Sequence, residues 1–475
     1  MKMVESNTKP VLDSTEIKKS VPWIYFVIFF AVLNESVFNV STPSIAKQFE
    51  LDASGVSWVV TIFFIVFGMG MVIFGKLSDM YSVKKLITIG IVLYSLGSIL
   101  GFVLQNWYIA VILSRAIQGA GGSAIPALVF VMVARFFTKE ERGKMFGIIT
   151  STVSFAIGIG PVLGGYIAGS FHWAYLFLIP LPVLIAIPFF QKLLPKEERG
   201  AGTLDLIGAV LLGVAVSMVI LFTTENHWLY LLTFIVALAL FIVHIRRAKE
   251  PFVDPALFTN PLYRSALIIG FLIFGTVMSV MFVIPLMLSE IYGLNTENIG
   301  LIMFPGAISA VIFGRVAGNM TVKRGSHFVV YVGLALISVS LLLQSSSIGL
   351  WVWYIGVALI MMYIGFSFVQ TALTESVTYI LPVHQIGVGM GLFNMISTIS
   401  GAVVTALVAK AMEKKLFDFP FHPFIADTNA YMYGNLFLIL SLVVVGSTLL
   451  YLLTFGKKAP QPITEPITEP TTEPT

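Results

Sequence analysis

The stretch VPWIYFVIFFAVLNESVFNVSTP, residues 21–43, decides the class of fold. It is long enough to cross a bilayer as a helix, since about 20 residues span the hydrocarbon core. It also contains a carboxylate, Glu35, close to the amides Asn34 and Asn39. A charge at that depth is costly and indicates a functional site, unless the stretch does not span a membrane at all.

The overall composition places the chain in a membrane. Its 475 residues are 57% hydrophobic and 11% charged, whereas a soluble domain has about 25% charged residues. The absence of cysteine excludes disulfides, thiolate metal sites and cysteine nucleophiles. A pI near 9.0 would suggest nucleic acid for a soluble protein. In a membrane protein it follows from basic cytoplasmic loops, so no nucleic-acid partner is expected.

Apolar runs bounded by charges or turn residues predict fourteen membrane-spanning helices. A helix is expected for each run, because lipid offers no partner to an unpaired backbone group. The runs are 22–45, 57–75, 86–105, 107–134, 145–169, 173–190, 206–223, 228–245, 262–288, 299–320, 326–345, 349–376, 390–411 and 432–455.

The distribution of basic residues supports this count. Of the 28 lysines and arginines, two fall within spans and four fall on the side opposite the N-terminus, which leaves 22 on the N-terminal side. Cytoplasmic loops are enriched in Lys and Arg. We therefore expect both termini in the cytoplasm, and an uneven number of spans would scatter the basic loops.

Two loops of similar pattern lie about half the chain apart. GKLSDMYSVKK, residues 75–85, contains Gly75, Asp79 and the basic pair Lys84 and Lys85; GRVAGNMTVKRG occupies residues 314–325. Such repetition is expected of transporters built from related halves. The alternative is two ordinary hairpins that carry basic residues for topology.

The fourth and fifth spans carry unusual residues for a membrane helix. The fourth, LSRAIQGAGGSAIPA, contains Arg115 and Gln118. An arginine at this depth faces water or a partner, or it only bonds backbone carbonyls between helices. The fifth, AIGIGPVLGGYIAG, contains a proline and glycines that indicate a bend and close helix packing, or a generic packing seam. These residues are Gly160, Pro161, Gly164 and Gly165.

Taken together, these stretches resemble the major facilitator superfamily. The 75–85 loop resembles its signature loop, with Met80 and Ser82 as departures, and RAIQGAG resembles its second motif. The fifth-span stretch AIGIGPVLGGYIAG and the first-span stretch LNESVFNVSTPSIA resemble motifs of the 14-helix drug–proton antiporters. Within that branch, the chain most resembles the Gram-positive-type tetracycline efflux proteins. Those proteins carry carboxylates in helices 5 and 13, where Ile157 and Ser400 stand here.

The resemblance implies an all-α membrane protein of the major facilitator fold, which works by alternating access around a central cavity. The expected organisation is a cytoplasmic tail at 1–20, a six-helix bundle at 21–190, a linker with two inserted helices at 191–261, a second six-helix bundle at 262–456 and a disordered tail at 457–475. In this family Arg115 is linked with proton coupling, and Asp79 with a gating contact to a helix end.

The depth of Glu35 agrees with that of Arg115. Glu35 lies roughly 20 Å from the inner end of helix 1, and Arg115 lies roughly 12 Å from the outer end of helix 4, at 1.5 Å per residue. In a core of roughly 30 Å these depths permit a pair. We therefore expect the two residues to couple transport to protons; the alternative is that Glu35 is a protonated or hydrogen-bonded structural residue.

The expected function is export of a hydrophobic, drug-like compound across the cell membrane in exchange for protons. Tetracyclines are the best single expectation, and a broad multidrug or lipophilic-cation exporter is the alternative. Residues expected to line the substrate cavity are Asn34, Phe38, Asn39, Gln118 and Phe366. A non-transporting receptor or scaffold is the alternative of another class. We expect no enzymatic activity, no cofactor and no metal, and a chain that works as a monomer.

Overall fold

The structure is a computed structural model. It describes residues 14–38, 41–51, 53–195, 197, 205–225, 227–294, 296–382, 385–421 and 430–456. Asn39 and the tail expected at 457–475 lie outside these residues.

The described residues form α-helices and short 3-10 helices, with no strand among them. The α-helices are α1 Ser14–Lys19, α2 Val21–Val37, α3 Thr42–Phe49, α4 Ala53–Met80, α5 Val83–Val103, α6 Tyr108–Phe136, α7 Lys139–Ser170, α8 Ala186–Leu193, α9 Leu206–Glu225, α10 Trp228–Arg247, α11 Pro261–Tyr292, α12 Thr296–Arg324, α13 Ser326–Ser346, α14 Trp353–Ile380, α15 Ile386–Glu413 and α16 Tyr431–Phe455.

Fourteen helical segments in this set are long and apolar enough to cross a membrane, which confirms the predicted number. The first span differs from the prediction. It ends at Val37 rather than near residue 45, and a separate short helix, α3, follows from Thr42. Pro43 lies in the first turn of α3, where a proline is tolerated, whereas inside a continuous helix it would remove a hydrogen bond.

The sixth span is also not the continuous helix that was predicted. Two 3-10 segments, Trp173–Leu178 and Leu181–Ile185, precede α8. Pro180 and Pro182 lie at this break. Because proline has no N–H to donate, it interrupts the α-helical hydrogen-bond ladder, and short 3-10 turns replace it.

The helices pack as two bundles with a helix pair between them. One bundle contains α2 and α4–α8, and the other contains α11–α16. Of the inserted pair, α9 packs against α4 and α15, which belong to different bundles, and α10 packs against α9. The bundles meet along α4–α15 and α7–α12. We call the side of the bilayer on which α2 begins the near side, and the opposite side the far side.

Glycines bring α7 and α12 into backbone contact on the near side. A Cβ on Gly147 would lie 2.9 Å from both Cα and N of Gly318, and a Cβ on Gly314 would lie 2.7 Å from the Gly147 carbonyl oxygen. Contacts below 3.0 Å are not tolerated, so only glycine fits. We call this line of contact between α7 and α12 the seam. It continues along both helices to Gly158, which lies against Ala307.

The seam opens in its far half. Gly165 continues the face of α7 that carries Gly158, and Gly300 continues the face of α12 that carries Ala307, because seven residues are about two helical turns. A Cβ on either Gly165 or Gly300 would meet nothing within 4 Å. The glycine contacts between the two bundles are therefore close on the near side and absent at Gly165 and Gly300 in the far half.

Candidate functional site

Arg115 is fully buried in the middle of α6 and is held by two hydrogen bonds. Its Nε donates to the carbonyl of Val59 at 3.0 Å, and its Nη1 donates to Oε1 of Gln118 at 2.9 Å. The first bond reaches α4 and the second stays on α6, one turn away. Nη2 has no hydrogen-bond partner although it is buried. Among the described residues, the two N–H groups of Nη2 are thus left without an acceptor.

Two phenyl rings enclose the guanidinium. Its carbon lies 4.1 Å from the ring centre of Phe38 and 4.2 Å from that of Phe63. A planar, delocalised cation is attracted by the faces of aromatic rings, and the attraction strengthens where water is excluded. The rings therefore stabilise the charge of Arg115 without neutralising it.

Gln118 extends this network into α5. Its Nε2 donates to Oγ of Ser98 at 2.8 Å, and Ser98 in turn donates to the carbonyl of Tyr94 at 2.9 Å. Gln118 and Ser98 are both fully buried. In this conformation Gln118 fixes Arg115 rather than presenting its amide to a substrate.

Glu35 is the acid whose charge acts on Arg115. Its side chain on α2 is half-buried, and the charges of Glu35 and Arg115 lie close enough to act on each other through space. Among the described residues, however, none joins the Glu35 carboxylate in a hydrogen bond or an ion pair. The predicted pair shares a region of the bundle but is not in contact in this conformation.

The other predicted cavity residues differ in their surroundings. Asn34 is fully buried, and among the described residues neither polar atom of its amide has a partner at full hydrogen-bond geometry, although the Tyr94 hydroxyl lies within interaction range. Phe38 is fully buried between Arg115 and Phe177, whose ring centre is 5.0 Å away. Phe366, in the other bundle, packs edge-to-face on Phe274 at 5.6 Å.

The predicted gating loop closes the near side. Arg135, at the end of α6, donates from Nη2 to Oδ1 of Asp79 at 2.6 Å and from Nη1 to the carbonyl of Ser78 at 2.8 Å. Gly75 contacts Gly387 of the other bundle so closely that a Cβ on either would collide with the opposite carbonyl. We call this contact, with the pair of Asp79 and Arg135, the near-side gate.

The basic pair of that loop serves local structure. Lys84 Nζ donates to the carbonyl of Leu194 at 3.3 Å, and Lys85 lies over the ring of Tyr81 at 5.8 Å. Among the described residues neither lysine forms a hydrogen bond or an ion pair with the opposite bundle, so the close contact of the bundles here involves Gly75 rather than the basic pair.

The fifth-span motif shows close packing at one glycine and not at another. A Cβ on Gly160 would lie 2.7 Å from Cβ of Ser36, so α7 approaches α2 there, and Gly164 is buried. Gly165 has open space. The helix α7 continues through Pro161 as a single element.

Several residues of the site were missed by sequence reasoning. Phe63, Ser98 and Arg135 lie in ordinary apolar or basic contexts, and their partners are 20 to 56 residues away. No local pattern marks such pairs. The described residues also contain no cluster of His, Asp and Glu that could hold a metal ion.

Comparison with known proteins identifies the family. The family description "Major Facilitator Superfamily" matches residues 24–405. The chain belongs to this superfamily. The riboflavin transporter RibZ of Clostridioides difficile (strain 630) is 27% identical over 410 residues, 83% of this chain and 89% of RibZ. Multidrug resistance protein 3 of Bacillus subtilis (strain 168) is 28% identical over 353 residues, 70% of this chain and 68% of that protein.

Solved structures of the superfamily share the fold. The human organic anion transporter MFSD10 superposes with a TM-score of 0.67 at 14% identity, covering 93% of this chain and all of that one. A bacterial homologue of the iron transporter ferroportin, in an outward-facing state, gives a TM-score of 0.59 at 15% identity. The chain is therefore a multi-pass membrane transporter of the major facilitator fold, not an enzyme.

Replacing Arg115 with lysine tests the geometry of the buried cation. Lysine keeps the charge but loses the fork that reaches Val59 and Gln118 and the plane that fits between two rings. We expect the transport rate to fall by roughly ten- to a hundredfold, as for the loss of one or two buried hydrogen bonds to a charged group. Transport by purified protein in vesicles measures this; a rate within about twofold of wild type would show that the fork is not needed.

Proposed function

We propose that this transporter exports a hydrophobic, drug-like compound across the cell membrane in exchange for protons. The observation that carries the proposal is the half-buried carboxylate of Glu35, which has no hydrogen-bond or ion-pair partner among the described residues, beside a fully buried arginine whose Nη2 is also without a partner among them. A carboxylate of this kind can take up and release a proton as the neighbouring cation approaches and withdraws. Arg115 and Glu35 are then the proton-coupling pair.

The close near-side contacts and the open space around Gly165 and Gly300 support a cycle of alternating access. In the proposed cycle, protons would load Glu35 from the far side and drug would leave to that side. Asn34, whose buried amide forms no hydrogen bond of full geometry among the described residues, is proposed to bind a polar group of the substrate when the bundles rearrange. All these residues belong to one chain, so a monomer suffices.

The orientation proposed for this cycle places the near side in the cytoplasm. The chain has no cysteine of its own, so single cysteines report topology directly. Cysteines at Ser82 and Lys323, on the near side, should be shielded from an impermeant maleimide added to whole cells. A cysteine at Asn106, on the far side, should react. The opposite pattern would reverse the orientation and turn the proposed exporter into an importer.

The substrate is proposed to be of the tetracycline class, and a broad range of lipophilic cations is the alternative. Similarity to a multidrug resistance protein supports export of drugs, while similarity to a riboflavin transporter favours a polar aromatic ring system as a further candidate. The test is uptake into inside-out vesicles driven by an imposed proton gradient. Tetracycline, ethidium and riboflavin are compared with and without the gradient. Accumulation of none of them in a gradient-dependent manner contradicts the proposal.

A further inference from the structure

The first turn of α15 is the part of the second bundle that forms the near-side gate. Gly387 lies in this turn against Gly75, and a Cβ on Gly387 would be 2.8 Å from Oδ1 of Asp79. At this spacing a shift of the turn by one ångström opens or blocks the contact. The contacts that hold the first turn of α15 in place therefore also determine how closely Gly387 approaches Gly75.

The start of α15 is held by Asp254, which lies in the segment between α10 and α11. Gln385 occupies the N-cap position of α15, and its Nε2 donates to Oδ2 of Asp254 at 2.7 Å. The other oxygen, Oδ1, accepts from the backbone N–H of Ala256 at 2.8 Å. Both oxygens of the carboxylate are thus engaged, and its position is fixed on two sides.

The segment that carries Asp254 is tied to the inserted helix pair. Phe252, which is buried, donates its backbone N–H to Oδ2 of Asp205 at 3.0 Å. Asp205 precedes α9 and accepts from the N–H of Gly208 at 2.9 Å, and His244 near the end of α10 places Nε2 2.9 Å from both of its oxygens. One carboxylate therefore joins α9, α10 and the segment that leads to Asp254.

The ionised form of Asp205 is favoured by this arrangement. Burial by itself raises the pKa of the carboxyl, but the hydrogen bonds from Gly208, His244 and Phe252 outweigh it and hold the pKa below its ordinary value. The junction is therefore intact at neutral pH.

We propose that Asp254 is a positioning residue of the near-side gate. Through Gln385 it holds the first turn of α15 against α4, and through Asp205 this hold depends on the inserted pair α9–α10. The inserted helices thereby act on the gate although neither of them lies in it. The inference goes beyond the proposed function, because it depends on neither the substrate nor the proton.

The inference is tested by moving the negative charge of the Asp254–Gln385 hydrogen bond from residue 254 to residue 385. In Gln385→Glu two carboxylates face each other, so the bond is lost and the turn is pushed away. In the double variant Asp254→Asn with Gln385→Glu, the asparagine amide donates to the new carboxylate, and its oxygen still accepts from Ala256. The double variant thus restores the hydrogen bond with the negative charge on residue 385 instead of residue 254. If either substitution acted only by damaging the local structure, the double variant would not recover.

The measurement is the labelling rate of a single cysteine placed in the gate, at Ser78. This side chain is 2% exposed and lies against Gly387. An impermeant maleimide is added to the near side of vesicles. We expect the rate to rise by roughly tenfold in Gln385→Glu, the scale of one hydrogen bond to a charged group, and to return to about the starting rate in the double variant.

Gln191→Glu is the matched control. Gln191 is a glutamine on the same side of the membrane that donates to Thr88 at 2.7 Å, away from the gate, so its variant should leave the labelling rate unchanged. Equal rates in the starting protein and Gln385→Glu would overturn the inference. So would a double variant that labels as fast as Gln385→Glu. No substrate enters the assay, so failure of the proposed export would not change its outcome.

Discussion

Replacing Glu35 with glutamine is expected to abolish uphill export while leaving drug binding intact. Glutamine has the same size and keeps hydrogen bonding, but it cannot carry a proton. Glu35 has no partner in the described structure that the change would remove, so the fold should tolerate it. We expect gradient-driven accumulation to fall by roughly a hundredfold or more, the scale of a single proton-transferring group.

The decisive measurement pairs drug-induced proton release with equilibrium binding in the same reconstituted protein. Glu413→Gln is the matched control, because Glu413 is an exposed acid at the far end of α15. It should behave as wild type in both assays. If the Glu35→Gln protein still builds a normal drug gradient from a proton gradient, Glu35 is not the coupling acid.

Replacing Gly147 with leucine is expected to prevent the near side from closing. The Cβ alone would lie 2.9 Å from the backbone of Gly318, and backbone cannot swing aside as a flexible side chain can. Overpacking of this kind costs about 2 kcal/mol, which shifts the balance between closed and open states by roughly thirtyfold. Transport should slow by up to the same factor, because the protein reaches the closed state seen here less often.

Gly165→Leu separates this effect from general damage to α7. The substitution is chemically identical and lies on the same face, but a side chain there meets open space in this conformation. A cysteine at Thr321, which is 3% exposed on the near side of the seam, reports closure by its labelling rate. Labelling should accelerate in Gly147→Leu only. Equal labelling in both glycine variants would show that the seam does not control closure.

The fold was predictable from the sequence because hydrophobicity and charge placement determine it directly. Fourteen spans follow from runs of apolar residues, and Glu35 and Arg115 are conspicuous because charges are rare at such depth. The break in the sixth span is foreshadowed only by Pro180 and Pro182, two prolines within an otherwise ordinary apolar run.

The contacts within the site were not predictable, because they join residues distant in sequence. Phe63 is one of 39 phenylalanines, and nothing local distinguishes it until α4 is packed against α6. The bond between Asp254 and Gln385 spans 131 residues. The open space at Gly165 likewise depends on the conformation of the transporter. The same sequence is compatible with every conformation, so it does not indicate which contacts are open in this one.

The backbone contact between α7 and α12 has a consequence for the entropy of the cycle. Glycine has no side chain whose rotamers must be frozen when a contact forms, whereas a long side chain loses up to about 2 kcal/mol of rotamer freedom. In the proposed cycle of alternating access, Gly147, Gly314 and Gly318 would separate and meet again without repeated ordering and disordering of side chains. The free-energy difference between the open and closed near side would then depend less on side-chain ordering and more on polar contacts, such as that of Asp79 with Arg135.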